Sequence, residues 1–336
     1  MAFWVSNQLI SQDDSHKLLD AIETNHFDWK RLAKYSFWIA LICIGTAVIS
    51  VITDRAIMKW LDHVFNAPAI IKSFFFFAVS TGFYFLGIFR KKNKPTKRYS
   101  NESIFFLGVL STAAAIAFLG EAIDTGSGHF SILILLTAVI YLILGLWFPS
   151  KLVWLFALLS MGAWFGAETG YVSGWGAYYL GMNYPLRFIL FGLVLILSSY
   201  LFKKTGWNKD FFKITRTTGL LYFLIALWIL SIFGNYGDIS SWYQVKQYEL
   251  LHWSFVFGGA ALMILFHGIK YEDHITRGFG LTFLFLNLYT RFFEYFWDST
   301  HKAIFFALMG LSFWMFGRYA EKIWTLGSEP YIEKQG

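Results

Sequence analysis

The sequence predicts an all-α protein, namely a polytopic transmembrane helical bundle of about ten spans with both termini on the cytoplasmic side. Three observations predict this fold class. Hydrophobic residues make up 57% of the 336 residues and charged residues only 15%, whereas soluble domains have about 45–50% and about 25%. Aromatic residues make up 21%, which is more than one aqueous core can bury. Apolar runs of about 20 residues, long enough to cross a bilayer, recur along the chain.

A short polar segment precedes these runs. Residues 1–34 are predicted to form a cytoplasmic helical module, in which Ser11 followed by Asp14 can cap a helix. The transmembrane bundle is expected over residues 35–322, with a cytoplasmic tail over 323–336. Residues 54–66, between the first two apolar runs, are amphipathic and are expected to lie in the membrane interface.

The bundle divides into ten predicted spans. Because lipid offers no hydrogen-bond partners, spans of this length without alternating polarity must be helices rather than barrel strands. The runs lie at residues 35–52, 70–89, 103–122, 129–148, 151–170, 185–202, 217–235, 250–269, 278–297 and 301–320. Only a few residues separate Phe148 from Lys151, so these two spans are expected to form a tight antiparallel hairpin.

The positive charges indicate an orientation for these spans. If the N-terminus is cytoplasmic, 21 of the 28 Lys and Arg residues fall on the inner side, as the positive-inside rule requires. This bias predicts that both termini are cytoplasmic in a bacterial inner (plasma) membrane. The basic runs 90–98 and 203–216 are then loop anchors attracted to anionic lipid headgroups, and no nucleic-acid partner is expected.

Several classes of chemistry lack their sequence signals. Cys43 is the single cysteine, which excludes a disulfide framework and a thiolate metal site. The chain has no zinc-protease, nucleophile-elbow, phosphate-loop or dinucleotide signature. We therefore expect no catalytic residue, no metal and no cofactor, and an enzyme is the less favoured class of protein.

Ionisable residues within the spans are the candidate site, because a charge inside a membrane is costly and usually functional. They concentrate at the predicted outer ends, whereas the inner halves hold almost nothing comparable except His267. The candidate substrate-binding residues are Glu121, Glu168, Arg187, Arg291, Glu294 and Asp298. We expect the glutamates and arginines to point inward and meet in one outward-open polar pocket. The alternative is that they only anchor or hold the bundle.

The ninth span shows the most regular spacing among these residues. Arg291, Glu294, Asp298 and His301 step by three, four and three residues, so a continuing helix would stack them on one face. Arg291 is expected to pair with Glu294 on its own helix, or with Glu121 or Glu168 across the bundle. Asp298 and His301 would otherwise be solvated loop residues.

Glycines in the fifth span suggest close helix packing. They recur every four residues, at Gly162, Gly166, Gly170 and Gly174. Small residues at this spacing form a smooth ridge that lets neighbouring helices approach. We interpret the ridge as a packing surface, with a hinge or access path as the alternative.

Three stretches also resemble a known family. They are Leu9-Ile10-Ser11, Phe118-Leu119-Gly120-Glu121 and Arg291-Phe292-Phe293-Glu294-Tyr295-Phe296. Because of these three stretches, the chain resembles the bacterial predicted-membrane-protein family called domain of unknown function 2157. The resemblance implies an inner-membrane protein with a short cytoplasmic N-terminal helical module, and it implies no activity.

The sequence leaves more than one function class open. The best interpretation is a small-solute transporter or solute-binding protein, since ten spans with both termini inside suit compact carriers. An alternative is a non-catalytic scaffold or sensor subunit that docks a protein partner through residues 1–34. A minor alternative is an intramembrane enzyme acting on lipid, with Glu121, Glu168 or Asp298 as acid or base. The expected partners are the lipid bilayer, a small solute and that docked protein.

Overall fold

The computed structural model describes residues 11, 29–53, 67–123, 126, 128–148, 150–204 and 209–325. Regular structure in these ranges is helical, apart from one isolated β-bridge between Tyr179 and Met182. The helices are α1 (Trp29–Thr53), α2 (Ala69–Asn93), α3 (Arg98–Ile123), α4 (Ser131–Trp147), α5 (Lys151–Val172), α6 (Tyr184–Lys204), α7 (Lys209–Phe233), α8 (Ile239–Tyr243), α9 (Leu251–Lys270), α10 (His274–Phe296) and α11 (Lys302–Thr325), with a 3₁₀ turn at Gln247–Leu250.

Some predicted segments fall outside these ranges. Most of the predicted N-terminal module, residues 1–34, lies outside the described residues. Its last residues, from Trp29 onward, form the beginning of α1. The amphipathic segment at 54–66 and the tail beyond Thr325 also lie outside the described residues.

Six helical stretches are long and apolar enough to cross a membrane. They are Ala69–Asn93, Tyr99–Ile123, Lys151–Val172, Tyr184–Phe202, Asp210–Phe233 and Gln247–Lys270. Shorter apolar stretches lie at Tyr35–Ala47, Ser131–Trp147 and Lys302–Met315. Large apolar side chains such as Phe74, Phe85 and Phe255 are exposed on these helices, as expected where a helix faces lipid. The structure therefore supports a multi-pass membrane protein.

The chain divides into two compact units. The first comprises Met1–Pro68 and Lys94–Asn101. Within it the rings of Phe37 and Tyr99 lie 6.3 Å apart. The second comprises Ala69–Asn93 and Glu102–Gly336 and contains all the candidate site residues.

Antiparallel hairpins organise the second unit. The pairs α4–α5, α6–α7 and α9–α10 make its most extensive contacts, and α7 also contacts α5, α9 and α10. The turn between α4 and α5 is as tight as predicted. Ser150 caps α5 by accepting a hydrogen bond from the Val153 backbone N–H at 3.4 Å, and its hydroxyl donates to Glu102 at 2.7 Å.

Buried polar bonds tie these helices together. The indole of Trp154 on α5 donates to Thr215 on α7 at 2.9 Å, and the hydroxyl of Tyr141 on α4 donates to the Val109 carbonyl of α3 at 2.7 Å. Polar groups away from water need such partners. Apolar clusters fill the space around them, and one of these consists of Trp154, Leu158, Phe191, Leu195 and Phe211.

The glycine ridge of α5 is contacted by aromatic side chains. A Cβ atom added at Gly162, Gly166 or Gly170 would meet the side chain of Tyr222, Phe188 or Tyr184, respectively. Gly174 lies beyond the end of α5, where its φ of +62° places it in the left-handed region. The ridge therefore ends at Gly170. Helix backbones approach each other closely in other pairs, at Gly192 and Gly219 between α6 and α7 and at Gly268 and Gly280 between α9 and α10, where an added Cβ would clash with backbone atoms.

Candidate functional site

The predicted site residues occupy separate contact groups rather than one. Glu121 contacts Lys72, Glu168 contacts His129 and Ser131, Arg187 contacts loop carbonyls, and Arg291 contacts Glu294. The single pocket that the sequence analysis expects is thus not seen among the described contacts. The physical reason is that each charge finds its own local partner, which removes the energetic need for all of them to converge.

The group around Glu168 is the most closely bonded. Ser131 donates from its hydroxyl to Oε2 of Glu168 at 2.6 Å. Nε2 of His129 lies 3.0 Å from the same oxygen. The imidazole of His129 also stacks on the ring of Tyr171, with centroids 3.8 Å apart and planes 5° apart. These contacts hold the imidazole in one position.

The helical hairpin brings these residues together. Ser131 is the first residue of α4, and Glu168 lies four residues before the end of α5. Because the two helices are antiparallel neighbours, the start of one meets the end of the other. Gly126 and Gly128 precede α4 with φ of +71° and +68°, values that glycine adopts without strain. His129 follows these glycines and lies beside Glu168 near the end of α5.

Glu121 lies near the end of α3, as Glu168 lies near the end of α5. Its carboxylate is 3.8 Å from Nζ of Lys72 in the first turn of α2, and its side chain is 58% exposed. The ammonium of Lys72 also lies 4.8 Å from the centre of the Phe118 ring. The Lys72 side chain is only 15% exposed. At this distance, and with its carboxylate exposed, the pair adds little stability.

A cavity joins Glu121 to His129. Its volume is about 560 Å³, within the range of about 300–1,000 Å³ typical of small-molecule sites. The lining residues are Ala117, Gly120, Glu121, Ile123, Gly128, His129, Phe130, Ile132, Leu133 and Tyr171. We call this space the α3–α4 cavity. Glu168 lies directly behind the imidazole of His129, so two of the predicted glutamates belong to one site.

The contacts of this site differ from those of two common catalytic arrangements. In a serine-nucleophile relay the serine hydroxyl bonds to the histidine, whereas Ser131 donates to Glu168. Among the described residues, no three His, Cys, Asp or Glu side chains are grouped to hold a metal ion. Two carboxylates, one lysine and one imidazole leave a net negative charge when the imidazole is neutral, which favours a cationic ligand.

Arg187 has a different setting from the predicted one. The residue is 1% exposed, in the first turn of α6. Its guanidinium donates to the carbonyls of Met182 at 3.0 Å and Ala177 at 3.1 Å, and it lies over the Tyr184 ring at 4.5 Å. No carboxylate is among its contacts in the described part of the chain. Arg187 therefore fixes the loop between α5 and α6 and does not reach a shared pocket.

Arg291 pairs with Glu294 on α10, one of the partners that the sequence analysis predicts. Arg291 also donates to the carbonyl of Ser231 on α7 at 3.0 Å. The helix ends at Phe296, so Asp298 lies in the following turn and is exposed. Of the four residues predicted to stack on one helix face, only Arg291 and Glu294 therefore lie on the helix.

The opposite ends of the helices are more polar than the sequence analysis predicts. Arg277 in the first turn of α10 is 2% exposed and lies 2.7 Å from Nδ1 of His274. Arg216 of α7 pairs with Asp273, the residue that caps α10. Arg216 and Arg277 lie one residue outside the predicted spans, so neither was counted among the charged residues of the spans. Helix packing nevertheless buries Arg277 and leaves the Arg216 side chain only 13% exposed.

Two features could have pointed to the residues that sequence reasoning missed. Asp273 is a residue type preferred at the N-cap of a helix, and the Thr276 hydroxyl donates to it at 2.6 Å. His129 adjoins a glycine-rich turn at the start of a predicted span. Its contact with Glu168 joins positions 39 apart, which no local pattern reveals.

Comparison with known proteins returned no relative. No protein-family model, curated protein or solved structure matches this chain.

Proposed function

We propose that the protein crosses a bacterial inner membrane ten times, with both termini in the cytoplasm, and binds a small cationic solute in the α3–α4 cavity as a transporter or solute-binding protein. Each of the ten predicted spans overlaps one long helix. The Lys and Arg distribution supports the orientation. Membership of the family that the sequence resembles is part of this proposal and adds no activity to it.

The α3–α4 cavity is the observation that carries the proposal. It is open at the helix ends that the proposed orientation places on the outer side. Glu121 supplies an accessible carboxylate, and its long contact with Lys72, at 3.8 Å, leaves the carboxylate able to exchange Lys72 for a cationic ligand. The ring of Tyr171 lines the same space and is stacked on the imidazole of His129.

Glu168 acts on this site through His129. Its hydrogen bonds hold the imidazole at the cavity wall, and its negative charge adds to that of Glu121. A ligand that carries an ammonium group and a short apolar part matches the carboxylate on one side and the residues Phe130, Ile132 and Leu133 on the other. We therefore propose a small amine as the class of solute.

A thermal-stability screen tests the binding. Purified protein in detergent is heated with amines of increasing size, from ammonium to spermidine, and with matched carboxylates as negative controls. At least one amine is expected to raise Tm, because a ligand that binds only the folded state stabilises it. Glu121→Gln should abolish the rise, whereas Glu249→Gln, which removes an exposed carboxylate outside the cavity, should retain it.

The same screen can contradict the proposal. If no amine raises Tm, or if Glu121→Gln responds as the unchanged protein does, the cavity does not bind a cationic solute. Uptake of the stabilising amine into proteoliposomes then separates a transporter from a protein that only binds. Uptake by the unchanged protein that is lost in the Glu121→Gln variant indicates transport.

A further inference from the structure

A groove with apolar walls and a basic end lies between α6, α7 and α9. Its volume is about 260 Å³. The walls are formed by Leu193, Ile196, Leu220, Phe223, Met263 and Ile264. The wall residues Leu193 and Met263 are exposed to the surroundings of the helices, at 37% and 70%. The groove therefore opens sideways, where a membrane helix meets lipid.

Polar residues close one end of this groove. They are Tyr200, Arg216, His267 and Thr276. These residues belong to the end of α6, the beginning of α7, the end of α9 and the beginning of α10, so they lie at one end of the hairpins. Arg216 is seven residues from the start of α7, or about 10 Å along the helix axis. This depth suits the boundary between lipid headgroups and acyl chains.

The charge at this end is positive. Residues 203–216 and 270–277, which lead into and out of it, contain seven Lys and Arg and three Asp and Glu. One carboxylate, Asp273, pairs with Arg216. A guanidinium has five N–H donors, and in the described residues Nε of Arg216 has no hydrogen-bond partner. The buried Arg277 adds a second positive charge to the same end.

Burial alone would raise the pKa of Asp273, but the hydrogen bond from Thr276 and the charge of Arg216 outweigh it, and the pKa lies below its ordinary value. Asp273 is thus ionised at neutral pH and balances the charge of Arg216. The excess of Lys and Arg over Asp and Glu in the two segments still favours an anion at this end.

We propose that the groove binds an anionic phospholipid, with an acyl chain along the apolar walls and the phosphate beside Arg216 and His267. An arginine and an imidazole are suitable donors to phosphate oxygens. The sideways opening favours a lipid over a soluble anion, because apolar walls add no affinity for a free phosphate. This site is at the opposite helix ends from the α3–α4 cavity, and it does not depend on the proposed solute.

Lipid titration of the full chain tests this site. Detergent-purified protein is titrated with phosphatidylglycerol or phosphatidylcholine, and bound lipid is counted by native mass spectrometry. Phosphatidylglycerol is expected to bind more tightly. Arg216→Gln should weaken it by about tenfold or more, the loss expected for one charge-assisted hydrogen bond. Lys213→Gln removes an exposed charge from the same helix and should leave binding unchanged.

A second variant keeps the test valid if Arg216→Gln does not fold. Met263→Trp fills the groove from its exposed side without altering a charge, and it should also remove the preference for phosphatidylglycerol. Equal binding of the two lipids overturns the proposal, as does an equal loss in Lys213→Gln, which indicates diffuse surface charge. Full competition by inorganic phosphate overturns it as well, since the site then binds a soluble anion.

Discussion

Nε2 of His129 lies 3.0 Å from Oε2 of Glu168, although 39 positions separate the two residues. Ser131 donates to the same oxygen at 2.6 Å. One carboxylate oxygen thus joins the start of α4 to the end of α5 and holds the imidazole at the wall of the α3–α4 cavity. Ligand binding and the stability of this hairpin are therefore expected to depend on the same residue.

Replacing Glu168 tests this dependence. Glu168→Gln keeps the side-chain shape but removes the charge, so the bonds from Ser131 and His129 weaken. We expect a loss of about 1–2 kcal/mol in the free energy of unfolding and a smaller Tm rise with the stabilising amine. Thermal unfolding with and without the amine checks both. Unchanged stability and ligand response, equal to those of Glu249→Gln, would show that Glu168 has neither role.

The loop between α5 and α6 should depend on Arg187. Arg187→Ala leaves the carbonyls of Met182 and Ala177 without their donor, and we expect a loss of about 3 kcal/mol. Arg187→Lys should restore only part of it, because an ammonium lacks the planar fork of donors. Lys246→Ala, which removes an exposed cation, is the control. Equal unfolding temperatures for Arg187→Ala and this control would contradict the assigned role.

The pair of Arg291 and Glu294 gives a test by double substitution. Both side chains are largely buried, at 14% and 17% exposed. Removing one partner leaves a charge without compensation, so Arg291→Gln or Glu294→Gln alone should cost about 3 kcal/mol or more. The double variant should be more stable than either single variant. Additive losses in thermal unfolding would show that the two charges do not compensate each other.

Asp238 predicts a pH dependence in the loop before α8. Hydrogen bonds from the hydroxyl of Ser240 and from the backbone N–H and hydroxyl of Ser241 lower the pKa of Asp238 to about 2. The folded-state pKa is therefore below the unfolded value of about 3.9. The stability that these bonds contribute is fully present above that value and is lost as pH falls through about 2.

Asp238→Asn removes this titration. The difference in Tm between the unchanged protein and the variant should be constant near neutral pH and should shrink as pH falls from about 4 to about 2. Asp298→Asn, at an exposed carboxylate outside this turn, controls for general effects of charge. A difference that does not change over this range would contradict the bonding pattern at Asp238.

The positions of the helices and one ion pair were accessible from sequence. Apolar runs predict helices because backbone groups in lipid need internal partners, and each predicted span overlaps a helix. Arg291 and Glu294 are three residues apart, and this spacing alone places them on one helix face. These features depend on local patterns, which a single sequence contains.

The arrangement of the site was not accessible in the same way. Arg187 was expected to meet the glutamates in one pocket, yet its guanidinium donates to backbone carbonyls of the loop before α6. Loop conformation has no periodic signal in the sequence. The burial of Arg277 depends on the close approach of α9 and α10 at Gly268, where an added Cβ would meet the Arg277 backbone. Such contacts are properties of helix pairs, which hydropathy does not reveal.

Accessibility of Glu121 tests the central claim, an outward-open cavity that binds a cation, most directly. In a Cys43→Ser background, which removes the single cysteine, Glu121→Cys and Lys213→Cys are treated in intact cells with a membrane-impermeant maleimide. We predict that Glu121→Cys is labelled and that Lys213→Cys is labelled only after the membrane is opened. Labelling of Lys213→Cys but not of Glu121→Cys in intact cells would contradict the claim.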